Sequence, residues 1–282
     1  MIVGDSISQG AEGDYTWRYR LSRHLAQQDV TARFVGPWNG TWVDEESGPG
    51  HLPGPAPEPA GFAWHPVGAP AEPAGAAHAA SRPGPVRPAG TALAAEPVRG
   101  GYQPGVLFDD NHYARWGRLM REAKEGIGGA VAACRPDYLM VALGFNDLAW
   151  GVSDPRELLA DAVAFVSRAR EANPRVQFLF ANVVHRTPLA DNPHLGDVIA
   201  WYNRSLPGAL AALSTRRSRI ALVDLAALYE PYSDAYDGLH PNGVGEIKIA
   251  RAFAGVFWSV FDHGRPRRAR PRGGLPPRWW PL

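Results

Sequence analysis

Short apolar runs alternate along the chain with longer segments whose apolar residues recur at helical spacing. The strand candidates are Met1–Val3, Thr31–Pro37 (TARFVGP), Asp137–Gly144 (DYLMVALG), Arg175–Val183 (RVQFLFANV) and Arg219–Leu225 (RIALVDL). The last three runs are nearly continuous, which is typical of parallel strands that are covered on both faces. The pattern therefore predicts five strands in a buried, parallel sheet.

Helical patterns fill the gaps between these runs. One amphipathic segment begins at about Thr16, and another begins with a capping box in which Glu157 follows Asp154 by three residues and Pro155 occupies the first turn. The C-terminal segment places its apolar residues on one helical stripe, formed by Ile247, Ala250, Ala254, Phe257 and Phe261. This alternation of strands and helices predicts an α/β fold with helices on both faces of the sheet.

Two segments depart from this pattern. The stretch Gly48–Gly105 holds 13 of the 27 prolines and shows almost no periodicity. Such a composition buries too little apolar surface to offset its ordering entropy. We therefore predict a single domain over residues 1–262, interrupted by a disordered or polyproline-like insertion at 48–105. Residues 263–282 are rich in arginine and proline and are predicted to form a disordered tail.

Charge and cysteine content exclude several classes of protein. The tail carries six arginines, and removing them from the net charge of +1 leaves −5 on the rest of the chain, which is not a basic nucleic-acid footprint. The single cysteine, Cys134, excludes an intramolecular disulfide and a cysteine-based zinc cluster.

No stretch is apolar enough to span a membrane, and the chain as given has no signal peptide. A cytoplasmic location is expected, or secretion if the true start lies upstream.

The first ten residues, MIVGDSISQG, raise the question of catalysis. Ser6 directly follows the first strand, at the carboxyl edge of the predicted sheet, where sites in open α/β sheets form. The alternative is that Ser6 or Asp5 only caps a turn or a helix. Two further motifs, Gly144–Asp147 (GFND) and Asp237–Gly243 (DGLHPNG), also lie at or just beyond strand ends. Because such ends share one edge of a parallel sheet, all three motifs are expected to meet there.

The residue types in these motifs suit nucleophilic catalysis. A serine hydroxyl needs an adjacent base, and His240 can supply one to Ser6. Asp237 can bond the other ring nitrogen of His240, fix its tautomer and stabilise the imidazolium. The Asn146 amide suits a developing oxyanion, where one donor is worth ~3 kcal/mol, and the Ser6 N–H can be a second donor.

Each of these residues also has a structural interpretation as a turn, cap or loop residue. Asp224 and Asp234 are rival carboxylates, but the Asp-x-x-His spacing favours Asp237. The presence of all three motifs in order, each at its own strand end, favours catalysis.

In these motifs the sequence resembles the SGNH hydrolases, also called the GDSL esterase/lipase family. The first block is matched by Gly4–Ser8 with Ser6 in the nucleophile position, the third by Gly144–Asp147, and the fifth by Asp237–His240. The second block is a single glycine and is the least specific. Gly117 in NHYARWGRLM matches it best, since Gly128 and Gly129 fall deeper in a predicted helix.

The resemblance covers about Ile2–Phe261, apart from the insertion. It implies a flavodoxin-like three-layer α/β/α sandwich with a central five-stranded parallel sheet. It also implies hydrolysis of an ester or thioester through an acyl-enzyme, without metal or cofactor. Ser6 would attack, His240 would transfer the proton, and Asp237 would orient His240. The oxyanion would be held by the N–H groups of Ser6 and Gly117 and by Asn146.

Four residues are candidate substrate contacts because they lie in or near these motifs or at a strand end: Asp5, His112, Trp150 and His185. Asp14, Tyr15 and Trp17 closely follow the nucleophile, and Trp17 is expected to pack as helix core. The expected substrate is a short acyl ester of a small molecule or a carbohydrate, such as an acetylated sugar. Nucleic acid is not an expected partner, and the oligomeric state is left open.

Three other functions stay open at this point. An acyltransferase or biosynthetic tailoring enzyme would use the same triad with another acceptor, and pocket shape rather than sequence separates it from a hydrolase. A non-catalytic binding protein on the same fold has no physical need for all four of Ser6, Asn146, Asp237 and His240. The arginine-rich tail suggests contact with an anionic lipid or nucleic acid, although its prolines and glycines favour a disordered end.

Overall fold

A computed structural model describes residues 1–43 and 100–261 of the chain. Residues 48–99 of the predicted insertion and the whole predicted tail at 263–282 lie outside the described residues. Residues 100–105 are described, and they pack against the N-terminal part of the chain. The Gly100 N–H donates to the Thr41 carbonyl at 2.7 Å, and the Gly13 N–H donates to the Gly101 carbonyl at 2.8 Å.

The centre of the fold is a parallel sheet of five strands. In chain order they are β1 Ile2–Gly4, β2 Tyr113–Ala114, β3 Tyr138–Ala142, β4 Gln177–Ala181 and β5 Ile220–Val223. The spatial order is β2-β1-β3-β4-β5, and all neighbours run parallel. Val3 of β1 pairs with Tyr113 on one side and Val141 on the other. The predicted parallel sheet is confirmed.

Helices cover both faces of this sheet. They are α1 Ser6–Gln9, α2 Thr16–Gln27, α3 Met120–Cys134, α4 Phe145–Ala149, α5 Pro155–Ala172, α6 Leu195–Leu213, α7 Pro231–Asp234 and α8 Gly243–Phe261. Helices α2 and α8 pack against each other, while α3, α5 and α6 pack in series. Right-handed crossovers place α2 on one face and α3, α5 and α6 on the other, because the chain moves one way from β1 to β2 and the opposite way afterwards. Helix α8 follows the last strand and packs on α2. The three-layer α/β/α prediction is confirmed.

Helix-level predictions are also confirmed by the packing. The whole predicted stripe of α8 is buried, and Trp17 of α2 stacks on Phe253 of α8 with ring centroids 4.8 Å apart. Asp154 and Glu157 form the expected capping box at the start of α5. In the two described ranges, no helix is long and apolar enough to cross a membrane.

The strand predicted at Thr31–Pro37 is wrong, since the second strand is the two-residue β2 at the sheet edge. Only Phe34 of the segment is fully buried, and its N–H donates to the Asp109 carboxylate at 3.1 Å rather than to a neighbouring strand. Gly36 lies directly against the backbone of His112, where an added Cβ would be 2.2 Å from the carbonyl oxygen. The segment thus runs beside the sheet edge and is held by loop contacts.

Candidate active site

The three sequence motifs meet at one edge of the sheet. Ser6 is the first residue of α1, a one-turn helix that directly follows β1. Asn146 lies in α4, shortly after β3. Asp237 and His240 lie on the loop between α7 and α8. Short elements at the strand ends therefore carry all the predicted catalytic residues, as the parallel topology requires.

A continuous line of hydrogen bonds joins three of these side chains. His240 Nε2 lies 2.9 Å from Ser6 Oγ, and His240 Nδ1 lies 2.6 Å from Asp237 Oδ2. The second carboxylate oxygen of Asp237 accepts the backbone N–H groups of Leu239 and His240. The Ser6 residue is only 5% exposed, so the hydroxyl lies in a largely dehydrated position. These distances suit proton transfer from hydroxyl to imidazole.

The ionisation of Asp237 determines the tautomer of His240. Burial acts to raise the pKa of its carboxyl group, but the hydrogen bond and charge of His240 and two backbone N–H groups outweigh burial and lower the pKa to about 2. The group is therefore a carboxylate that accepts a hydrogen bond from the protonated Nδ1 of His240. This leaves Nε2 as the acceptor for the Ser6 hydroxyl, which is the tautomer a general base needs.

The rival carboxylates have other partners. Asp224 accepts a hydrogen bond from the Asn182 amide at 2.7 Å. Asp234 is buried and accepts from the Lys248 ammonium at 2.6 Å and from the Glu230 N–H at 2.7 Å. Only Asp237 bonds His240 among the carboxylates of the described residues.

Gly117 adopts a backbone conformation that favours glycine. Its φ is +70°, and a Cβ there would lie 3.2 Å from Cη2 of Trp150. The backbone N–H groups of Ser6 and Gly117 have no acceptor among residues 1–43 and 100–261. Both amides are therefore free to donate to a bound group.

The element that carries Asn146 is tied to the loop that carries Gly117. The Asn146 amide donates to the Arg118 carbonyl at 3.2 Å, and this bond uses one of its two hydrogens. Asp147, the next residue, accepts the backbone N–H of Met120 at 2.8 Å. These two bonds fix the position of the Gly117 loop relative to Asn146.

His112, a predicted substrate contact, is bonded within the fold through both of its ring nitrogens. Its side chain is fully buried, its Nε2 lies 3.1 Å from the Gly40 carbonyl, and its Nδ1 accepts the Ala114 N–H at 3.0 Å. Burial, together with the charge of Arg18, holds the pKa of His112 well below its ordinary value. His112 is a neutral structural residue that connects β2 to the segment around Gly40.

Asp5 also has a structural role. It is the N-cap of α1, and its carboxylate accepts the Ile7 N–H at 3.0 Å. It is buried, and burial raises its pKa to about 7. The predicted substrate contact at Asp5 is thus not supported, because the carboxyl group is enclosed beneath the helix that it caps. The capping interpretation of this motif applies to Asp5 but not to Ser6.

The two remaining candidate contacts lie beside the site. Trp150 is 58% exposed and stands next to Gly117. His185 is partly exposed and follows β4 in a segment whose Thr187 N–H donates to the Gly238 carbonyl at 3.0 Å. A role in substrate binding stays a prediction for both residues.

Sequence reasoning missed an aromatic stack at the site. The indole of Trp116 stacks on the His240 ring at 4.6 Å and on the Trp42 indole at 4.3 Å. Tyr236 also lies nearly parallel to His240, with centroids 5.9 Å apart. The only feature of the sequence that could have indicated this stack is that Trp116 directly precedes Gly117.

Arg18 on α2 was missed as well. Its guanidinium is fully buried and donates to the carbonyl oxygens of Ser8, Gln9 and Gly40 at 2.8–2.9 Å. It therefore holds the end of the helix that begins with Ser6. Asp14 closes the turn that follows, since it accepts the Ala11 N–H at 2.7 Å. Burial raises the pKa of Asp14 to about 6.

Taken together, the site offers a hydroxyl, a base with an oriented tautomer, and free amide donors. These are the parts that acyl transfer through a serine requires. Within the described ranges, no group of three or more His, Cys, Asp or Glu side chains is placed to hold a metal ion.

A comparison with known protein families gives a match over the central and C-terminal parts of the chain. The sequence profile of the GDSL-like lipase/acylhydrolase family matches residues 93–246, which is more than half of the chain. The matched region contains Asn146, Asp237 and His240, while Ser6 precedes it. Among curated protein sequences, no significant match to the chain was found.

Several solved structures share the fold along almost the whole chain. A carbohydrate esterase family 3 protein from Talaromyces cellulolyticus matches with a TM-score of 0.61 and 19% identity, over 90% of this chain and 93% of that one. The Clostridium thermocellum family 3 carbohydrate esterase matches with a TM-score of 0.59 and 18% identity, over 91% and 93%. An acetyl esterase mutant with acetate ion gives 0.59 and 19%, over 89% and 91%.

Proposed function

This chain belongs to the GDSL-like lipase/acylhydrolase family, and we propose that it hydrolyses short acyl esters through an acyl-enzyme formed on Ser6. Family membership makes the protein an ester-hydrolysing enzyme. The proposal adds the nucleophile, the covalent intermediate and the size of the acyl group. The observation that carries it is the hydrogen-bonded line from Ser6 through His240 to Asp237, whose first and last residues are far apart in sequence.

In the first half of the reaction, Ser6 Oγ attacks the ester carbonyl while His240 Nε2 takes the hydroxyl proton. Asp237 stabilises the imidazolium that forms. The carbonyl oxygen becomes an oxyanion, and the proposed donors to it are the N–H groups of Ser6 and Gly117 and the Asn146 amide. When the intermediate collapses, the bond to the leaving alcohol breaks and His240 returns the proton to that alcohol.

In the second half, water attacks the acyl group on Ser6. His240 takes a proton from this water, and the same donors hold the second oxyanion. Collapse releases the carboxylic acid and returns the proton to Ser6. The chain's own residues thus account for every proton transfer.

For the substrate class, we propose an acetylated carbohydrate. The support is of two kinds. The structural relatives include family 3 carbohydrate esterases and an acetyl esterase. In addition, the exposed indole of Trp150 stands beside Gly117, where its apolar face offers a platform for a sugar ring.

A burst assay with p-nitrophenyl acetate tests the nucleophile. Wild type is compared with Ser6→Ala and with Ser8→Ala as the matched control. Ser8 lies two residues later on α1, and its buried hydroxyl has no hydrogen-bond partner among the described residues. We expect Ser6→Ala to lose at least about 1,000-fold in kcat and Ser8→Ala to keep its activity. Equal rates in wild type and Ser6→Ala would end the proposal.

A second assay tests the acyl group and the acceptor. Rates are measured with p-nitrophenyl acetate, butyrate and octanoate and with acetylated oligosaccharides. We expect the acetyl substrates to be fastest and acetate to be released in equal amount to p-nitrophenol. A shortfall of acetate in the presence of an added alcohol or sugar would indicate acyl transfer instead.

A further inference from the structure

We propose that Trp116 is a positioning residue for His240. Gln9, through the Trp116 backbone, and Trp42, through ring stacking, hold the Trp116 indole in place. The inference rests on the proposed function, in which His240 is the general base. It assigns a role to an aromatic residue outside the Ser6, Asp237 and His240 line.

The contacts of Trp116 place its ring against the base. The indole and the imidazole stack at 4.6 Å with an angle of 18° between their planes. The Trp42 indole stacks on Trp116 at 4.3 Å with an angle of 21°. The rings of Trp42, Trp116 and His240 therefore form one stack, and Tyr236 is nearly parallel to His240 at a longer distance, 5.9 Å.

The backbone of Trp116 is fixed to the helix of the nucleophile. Its N–H donates to the Gln9 side-chain oxygen at 2.6 Å, and Gln9 is fully buried at the end of α1. Gln9 follows Ser6 by three residues on the same helical turn. The nucleophile Ser6 and the Trp116 ring are thus both attached to the short helix α1.

His240 needs such support because its other anchor is open to solvent. The Asp237 side chain is 42% exposed, so its hydrogen bond alone leaves the imidazole free to tilt about that bond. An indole against the imidazole face prevents the tilt and keeps Nε2 within reach of Ser6. The electron-rich indole face also favours the imidazolium that forms when Ser6 loses its proton.

This role predicts a specific kinetic signature. A residue that positions the base changes kcat, whereas a residue that binds substrate changes KM. We expect Trp116→Leu to lower kcat by about 10- to 100-fold with KM within about twofold, because the base is then out of position in most of the molecules. Trp116→Phe, which keeps an aromatic face, is expected to recover much of this loss.

The pH profile gives a readout that a merely structural residue would not change. Without the indole the imidazolium loses a favourable partner. The carboxyl groups of Asp5, Asp14 and Asp237 also interact with His240 and are kept in the variant. The acidic limb of the kcat/KM profile of Trp116→Leu is therefore expected to move to lower pH relative to wild type because of the indole alone. Trp201→Leu, which removes a partly exposed indole from α6, is the matched control and is expected to retain the wild-type profile.

The experiment measures kcat, KM and the pH profile of these variants on p-nitrophenyl acetate, with Ser6→Ala as reference. A kcat for Trp116→Leu within twofold of wild type overturns the proposal, and so does a rise in KM at unchanged kcat. Full activity of Ser6→Ala would instead overturn the proposed function. If Trp116→Leu does not fold by circular dichroism, Trp42→Leu carries the test, because it removes the ring that supports Trp116, and a wild-type kcat in Trp42→Leu overturns the proposal.

Discussion

The Asp147 carboxylate accepts the backbone N–H of Met120 at 2.8 Å, so the residue after Asn146 caps the helix that begins three residues after Gly117. Asp147 is fully buried, and its other oxygen receives the Arg121 N–H at 3.4 Å. Burial raises the pKa of its carboxyl group, and these backbone bonds oppose the rise. Two segments that carry proposed oxyanion donors are therefore joined through one side chain.

Loss of this cap is expected to reduce both stability and activity. Asp147→Ala should lower the free energy of unfolding by about 1–2 kcal/mol, because two helix-terminal N–H groups lose their acceptor. Asp147→Asn should lose less, since its amide oxygen can still accept one bond. Urea denaturation and kcat on p-nitrophenyl acetate check both variants. Wild-type activity in a folded Asp147→Ala would contradict the positional link to Gly117.

The amide of Asn146 is expected to matter for rate more than for folding. Asn146→Ala should lower kcat by about 100- to 1,000-fold with little change in KM, because one oxyanion donor is lost. The matched variant is Asn182→Ala, which removes an amide that follows β4 at the same sheet edge. Asn182 donates to Asp224 and accepts from the Ala226 N–H, so its loss should reduce stability and leave kcat per folded enzyme unchanged. A loss of stability without a loss of kcat in Asn146→Ala, together with a loss of kcat in Asn182→Ala, would exclude Asn146 from the oxyanion site.

Asp5 is expected to make stability depend on pH. Burial raises its pKa from 3.8 to about 7 in the folded protein, so the folded state binds this proton more tightly than the unfolded state. The stability that this tighter proton binding adds to the folded state is fully present below about pH 4 and is lost as the pH rises towards about pH 7. Asp5→Asn removes this titration and keeps an oxygen for the Ile7 N–H.

Urea unfolding of wild type and Asp5→Asn between about pH 4 and pH 8 checks this sign. Wild type should lose stability relative to Asp5→Asn as the pH rises. Asp154→Asn, an exposed N-cap on α5, supplies the comparison for replacing a charged cap. A difference between wild type and Asp5→Asn that is constant with pH would show that folding does not raise the pKa of the Asp5 carboxyl group.

The sequence predicted those features that leave a local or periodic signal. The run DYLMVALG marks β3 because both faces of a central parallel strand are buried. The Asp-x-x-His spacing is also local, since the two side chains meet within one turn of loop. The order of the motifs at strand ends also predicted that Ser6 and Asn146 lie at the same edge of the sheet.

The remaining features depend on contacts between residues far apart in sequence. The two residues of β2 are too few to show an alternation, whereas the longer apolar run at 31–37 has the pattern of a strand without forming one. His112 was expected near substrate because it precedes Gly117, but Gly40 and Ala114 enclose its ring. The stack of Trp42, Trp116 and His240 joins three separate segments and leaves no spacing to detect.

Gly238 lies on the loop between Asp237 and His240, and its replacement tests whether the position of that loop limits the rate. Its φ is +83°, and a Cβ there would lie 2.0 Å from Oγ1 of Thr187. Gly238→Ala should cost about 1–2 kcal/mol in stability from the backbone alone and should lower kcat by at least about tenfold, as the Asp237–His240 loop moves. Adding Thr187→Ala removes the closest contact but leaves Cβ of residue 187 at 3.1 Å and the unfavourable φ, so the double variant should recover only part of the lost activity. Thr187→Ala alone keeps its backbone bond to the Gly238 carbonyl and should act as the near-neutral control. Wild-type kcat in Gly238→Ala would mean that the loop tolerates displacement and that the line from Asp237 to Ser6 does not limit the rate.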